Sequence, residues 1–96
     1  MSMLEKVKLA LQISTNEFDS DIEENIATAR AEMIRSGIAE EKANSNTDAL
    51  ITKAIKTFCQ KEYTDDNLSE RFEESWKYQL DNLRKSKGYK VENDEV

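Results

Sequence analysis

The sequence predicts an all-α fold, a small bundle of about four helices with a long second helix and a flexible C-terminal tail. Three observations carry that expectation. Apolar residues recur at spacings of three and four along most of the chain. Two Gly and no Pro are too few for a protein built from strands and tight turns. No alternating apolar and polar run flanked by turn residues is present. At 96 residues the chain makes one domain, expected as a helical body over 1–88 and a flexible tail over 89–96.

The first helix is expected from Met3 to Gln12. Ser2 followed by Glu5 reads as a capping box: the Ser oxygen takes a free amide of the first turn and the Glu reaches back to the cap amide. Leu4, Val7 and Leu11 share one face, and Ser14, Thr15 and Asn16 interrupt the helix. The second helix is expected from Glu17 to Ser36, roughly 30 Å long. Its stripe is Phe18, Ile22, Ile26, Ala29 and Met33. Asn16 is the expected cap, with Asp19 three places on. Glu17, Asp19, Asp21, Glu23 and Glu24 face the positive end of the helix dipole, and Arg30 and Arg35 lie towards the other end. Gly37 suits a left-handed residue after the last turn, with Ile38 packing back on Met33.

Ala39 to Thr47 reads as a polar loop. The third helix is expected from Asp48 or Ala49 to Tyr63, capped by Asp48. Ile51, Ala54, Ile55, Phe58 and Cys59 form its apolar face, with Leu50 beside them. After a turn at Thr64, Asp65 and Asp66, the fourth helix is expected from Leu68 to Ser86, with Asn67 and Glu70 as a second capping box. Its stripe is Leu68, Phe72, Trp76, Leu80 and Leu83. Arg84, Lys85 and Lys87 suit a helix C-terminus, and Gly88 ends it. Tyr89 to Val96 is too polar to fold alone. Short turns fit antiparallel neighbours, with the long second helix as the spine of the bundle.

Composition removes most chemistry. Lys and Arg number 14 against 20 Asp and Glu, a net charge of −6, where a module held on nucleic acid by phosphates carries a basic surplus. With no His and a single Cys, Ser-His-Asp and Cys-His catalysis, Cys/His zinc sites and an intrachain disulfide are all excluded. No catalytic, cofactor-binding or metal-binding residue is assigned. The neighbouring carboxylates Glu23/Glu24, Glu40/Glu41, Asp65/Asp66 and Glu73/Glu74 point apart when helical, so they read as solvated faces. Asp19, Asp21 and Glu23 resemble the start of a calcium loop, but Glu24 stands where the sharp-turn Gly belongs and Arg30 at the twelfth position. Cys59 falls on an apolar face and reads as a packing thiol. Phe58, Phe72 and Trp76 fall on core stripes rather than on a basic stacking surface. No apolar run is long enough for a membrane span and no signal peptide is visible, so a reducing cytoplasm is the expected compartment. Hydrophobic residues make up 38% and charged residues 35%, which leaves room for burial to be completed against other subunits.

Taken in order, these segments resemble the head–tail connector (adaptor, or head-completion) family of tailed bacteriophages. The likeness starts with Met3, Leu4, Glu5, Lys6, Val7 and Lys8, then Leu11 and Ile13. It continues with Thr15 to Asp19, Ile22, Ile26, Ala29 and Gly37-Ile38, and then Asp48, Leu50-Ile51, Ala54-Ile55 and Phe58-Cys59. The last part is Asp66-Asn67, Glu70 to Phe72, Ser75-Trp76, Leu80 and Leu83. It covers Met3 to Tyr89. Ala49 and Leu68 stand where the family often has Pro, and Asn25 where it often has an apolar residue.

The resemblance implies a non-enzymatic homo-oligomeric ring of about a dozen subunits joined head to tail. Such a ring sits in the virion neck beneath the portal protein after DNA packaging, and docks the stopper or tail-completion protein. Double-stranded DNA passes through its channel without specific binding, as an acidic wall would allow. The segment reaching the portal would lie within 88–96, and Gly88, Tyr89, Lys90 and Val91 are the candidate contacts. Phe18, Ile22, Ile26, Met33, Phe58, Phe72, Trp76, Leu80 and Leu83 would pack either in the core or at subunit interfaces. The protein would be made in the bacterial host cytoplasm. Without the resemblance, a small acidic regulator of the antirepressor or DNA-mimic type, binding a basic partner, fits the same composition. A helix-turn-helix DNA binder fits less well, because no helix gathers basic residues at its start.

Overall fold

The computed structural model describes residues 1–91. They form five helices: α1 (Met3–Leu11), α2 (Asp19–Arg35), α3 (Glu40–Ala43), α4 (Ala49–Glu62) and α5 (Asp66–Lys85). The all-α expectation holds, with one short helix more than the sequence suggested: α3 makes a single turn in the stretch read as a loop. None of the described helices is long and apolar enough to cross a membrane.

The ends of the helices follow local chemistry. Ser2 and Glu5 form the capping box of α1: the Glu5 amide donates to Ser2 Oγ at 3.1 Å and the Ser2 amide to Glu5 Oε1 at 2.8 Å. α1 stops because Gln12 turns left-handed, at φ 59° and ψ 40°. The Ile13 amide then reaches back to the Lys8 carbonyl at 3.0 Å. α2 ends in the same way at Gly37 (φ 112°), with the Ile38 amide on the Met33 carbonyl at 3.0 Å. Two expected caps move. α2 starts at Asp19 rather than Glu17, because the Thr15 hydroxyl takes the Glu17 amide and the Asn16 carbonyl takes the Asp19 amide in a turn. α5 starts at Asp66, and its cap is Asp65, whose carboxylate accepts from the Leu68 amide at 3.2 Å. Asp65 sits three places before that amide, the reach a cap needs, so Asn67 is already inside the helix.

The helix at the centre is α4, not the longer α2. It packs against α5, α2 and α1 in turn, and Ile51, Thr52, Ala54, Ile55, Thr57, Phe58 and Cys59 are all buried along it. Asp48 caps it, taking the Leu50 and Ile51 amides at 3.0 Å each. α2 contributes Ile22, Ile26, Ala29 and Met33 to the core, and α1 contributes Met3 and Val7. Asn25 is satisfied by donating to the Tyr63 hydroxyl at 3.2 Å, which explains how a polar residue is held on that side of α2. The Arg30 guanidinium reaches out of α2 to the Ala43 and Ser45 carbonyls at 2.8 and 2.9 Å and to Asn46 Oδ1 at 2.7 Å. These bonds fix the α3–α4 connection. The described residues measure 49 × 29 × 18 Å, about two helix layers thick.

Candidate interaction surfaces

No group of three His, Cys, Asp or Glu side chains converges as metal ligands among the described residues. Cys59 is wholly buried, and burial pushes its thiol up to about 12. A thiol held protonated among apolar side chains is packing, not a nucleophile. What the molecule offers instead is surface, in three places.

The first is where the ends of α1 and α4 meet α5 beside Phe18, the residue before α2. Periodicity groups Phe18 with the α2 stripe, but it lies one residue before α2, at φ −102° and ψ 6°, and is 41% exposed. The helical period therefore does not carry it into the core. Together with Ile13, Tyr63 and the half-buried Phe72 it borders an open cleft of about 360 Å³. Leu68, in the first turn of α5, is also exposed. Of the remaining residues in the core-or-interface set, Ile22, Ile26, Met33, Phe58, Trp76 and Leu83 are buried within the chain, and Leu80 is half-buried. Trp76 meets Phe58 edge to face, with ring centroids 4.9 Å apart. Lys61 Nζ lies 4.0 Å from the centre of the Phe58 ring.

The second is the segment that follows α5. The Tyr89 hydroxyl donates to the Asp48 carboxylate, 2.9 Å from one oxygen and 3.1 Å from the other. The Ala39 amide donates to the Tyr89 carbonyl at 2.7 Å, and the Val91 amide to the Gly37 carbonyl at 2.9 Å. Ile38 and Lys90 thereby form an antiparallel bridge. Gly88 makes the reversal at φ 95°. The tail expected over 89–96 thus divides: 89–91 is tied to the body, and 92–96 lies outside the described residues. Of the four candidate portal contacts, Tyr89 is half-buried in this tie, while Gly88, Lys90 and Val91 are exposed. Partial burial of Asp48 favours its neutral form, but bonds from the Ile51 amide, the Tyr89 hydroxyl and the Leu50 amide outweigh it and hold the carboxyl below the usual range. Burial, then the bond to Asp48, pushes the Tyr89 phenol up, so it stays a donor through neutral pH. Nothing in the sequence marked this tie, since Tyr89 and Asp48 are 41 residues apart.

The third is the solvent side of α4. Ala49 and Lys53 are exposed there, with Lys56 and Gln60 half-buried between α1 and α5. The core face of α4 is the one its periodicity predicts, but nothing in that periodicity shows which neighbours leave this side open.

A family model described as phage connector protein matches residues 3–87 of the chain. No curated protein and no solved structure matches it.

Proposed function

Because the chain belongs to the phage connector protein family, we propose that it acts in the virion neck as a structural ring. About a dozen copies are joined by head-to-tail contacts that close by rotation. The ring extends the DNA channel beneath the portal protein and offers the next head-completion or tail component a docking surface. The family match carries the reading, and the surface chemistry supports it. Phe18, Leu50 and Leu68 are 41%, 52% and 44% exposed on a chain whose core is small. Apolar side chains of this size left in water suit a subunit that buries them against neighbours. In this reading the exposed Lys90 and Val91 belong to the segment that reaches the portal.

Native mass measured on the chain alone, and on the chain mixed with the portal protein, tests the proposal. Closed multimers, in either sample, are expected. A chain that remains monomeric or dimeric with portal present, and instead pairs with a small basic protein, would replace the ring with the acidic-regulator reading.

A further inference from the structure

The open side of α4 is a groove whose chemistry points to one occupant. α4 has four sides, and three are taken. Thr57, Phe58 and Lys61 meet α5, through the Gln79 amide on Thr57 Oγ1 at 2.9 Å, the Trp76 ring, and Glu73 at 3.6 Å from Lys61 Nζ. α1 packs on a second side, and its Lys6 borders the open cleft of about 430 Å³ with Thr52, Lys53 and Lys56. That leaves the buried Ile51 and Ile55 for α2. The remaining stripe, Ala49, Lys53, Lys56 and Gln60, at spacings of four, three and four, is a floor with α1 and α5 as walls. α2 therefore lies on the far side of α4 from this groove.

The charges on those two sides are opposite. Lys6, Lys53 and Lys56 gather at the groove, and none of them is in an ion pair among the described residues. That is unusual on a chain of net charge −6. Across the molecule α2 opens with Asp19, Asp21, Glu23 and Glu24, of which, among the described residues, only Asp19 is in an ion pair, with Lys8 at 2.8 Å. Further along, the outward side of α2 shows Ala27, Ala31 and Ile34, two small residues and one larger apolar one, all exposed. The lengths agree as well. Glu24 to Ile34 spans about 15 Å along α2, and so does Lys53 to Tyr63, which leads from the lysines to the Phe18–Phe72 cleft.

We propose that the groove between α1 and α5 receives the outward face of α2 from a second copy of this chain. Asp21 and Glu24 of that copy meet Lys53 and Lys56, and its Ile34 reaches the cleft bordered by Phe18 and Phe72. Groove and α2 face sit on opposite sides of one subunit, so the contact is heterologous and repeats from copy to copy. The inference rests on the ring reading and supplies its two mating faces.

Two experiments test it. The first places cysteines at Ala31→Cys and Gln60→Cys in one chain and oxidises it; the buried Cys59 does not compete. A ladder that runs past the dimer is expected, whereas either single variant stops at the dimer. The second compares native assembly of Lys53→Glu/Lys56→Glu, of Asp21→Lys/Glu24→Lys, and of the chain carrying all four changes. Each pair should weaken assembly on the order of tenfold or more through like-charge opposition, and the fourfold variant should recover it. That recovery also shows that the pairs fold. Rings without a ladder, or rings indifferent to both reversals, overturn the groove contact and leave the ring standing. A chain that gives neither rings nor a ladder, alone or with the portal protein present, overturns both. A short DNA duplex that binds the chain at low salt, and fails to bind Lys53→Glu/Lys56→Glu, makes the groove a phosphate site and overturns the inference.

Discussion

α4 and α5 lie side by side and differ in almost everything else. α4 has 14 residues with seven buried, whereas α5 has 20 and buries only Trp76 and Leu83. α4 is enclosed by three helices; α5 rests on α4 alone among its substantial neighbours. Both have an apolar stripe in the sequence. An isolated chain can satisfy only one of them in full, because a core this small has one centre. The difference divides the apolar surface: α4 turns its stripe inward, whereas α5 leaves Leu68 and Tyr78 exposed beside its buried Trp76 and Leu83.

The largest effect should come where the two helices touch. Trp76→Ala removes the ring that meets Phe58 at 4.9 Å, and should cost about 3–5 kcal/mol. Ile55→Ala on α4 should cost about 2–5 kcal/mol. Urea unfolding of the monomer measures both. If Trp76→Ala unfolds normally while assembly fails, Trp76 belongs with the assembly surface and the division drawn between the helices moves. Next comes Gly37→Ala. A Cβ there meets nothing within 4 Å, so the cost is that of the left-handed backbone alone, about 1–2 kcal/mol. Thermal melting at fixed concentration checks it.

How much was legible in the sequence follows from the range of the forces involved. The α2 stripe from Ile22 to Met33, the left-handed Gly37, the Ser2 box and the Asp48 cap all depend on residues within five places of one another, and all are present. Phe18 lies just outside α2 because the apolar period extends past the point where local hydrogen bonding ends the helix. Asp65 rather than Asn67 caps α5 because three adjacent residues can all cap, and only the backbone decides which oxygen meets a free amide. The central place of α4, the Arg30 clamp and the Tyr89–Asp48 tie are long-range arrangements. The lysine groove needed three helices in place before Lys6 and Lys53 became neighbours.

The Asp48 tie gives a smaller, pH-dependent effect. Its carboxyl is held below the ordinary value of 3.8, so it contributes stability above that pH. The contribution fades as the pH falls through the lowered folded value. Asp48→Ala should cost about 1 kcal/mol at pH 7, from the lost cap. Asp48→Asn keeps a capping oxygen, and should lose mainly the dependence on acid. Tyr89→Phe removes the other end of the tie and should raise amide exchange at Val91 with little change in the melting of α4. Equal loss of protection along α4 would mean that the tail segment is part of the core rather than an attachment to it.

The smallest effect on the monomer should accompany a large one on assembly, and it bears most directly on α5. Leu68 is 44% exposed in the first turn of α5, where an acid suits the helix dipole. Leu68→Asp should therefore change monomer stability by no more than about 0.5 kcal/mol, in either direction. Tyr78, 71% exposed and four places after Glu74, should tolerate Tyr78→Lys equally well. If the exposed side of α5 is a subunit surface, Leu68→Asp places a carboxylate in a buried seam, and native mass should show the ring lost from a chain that melts normally. If the ring persists, the free apolar surface of α5 faces a later component of the neck, and defects should appear only when the next head-completion protein is added.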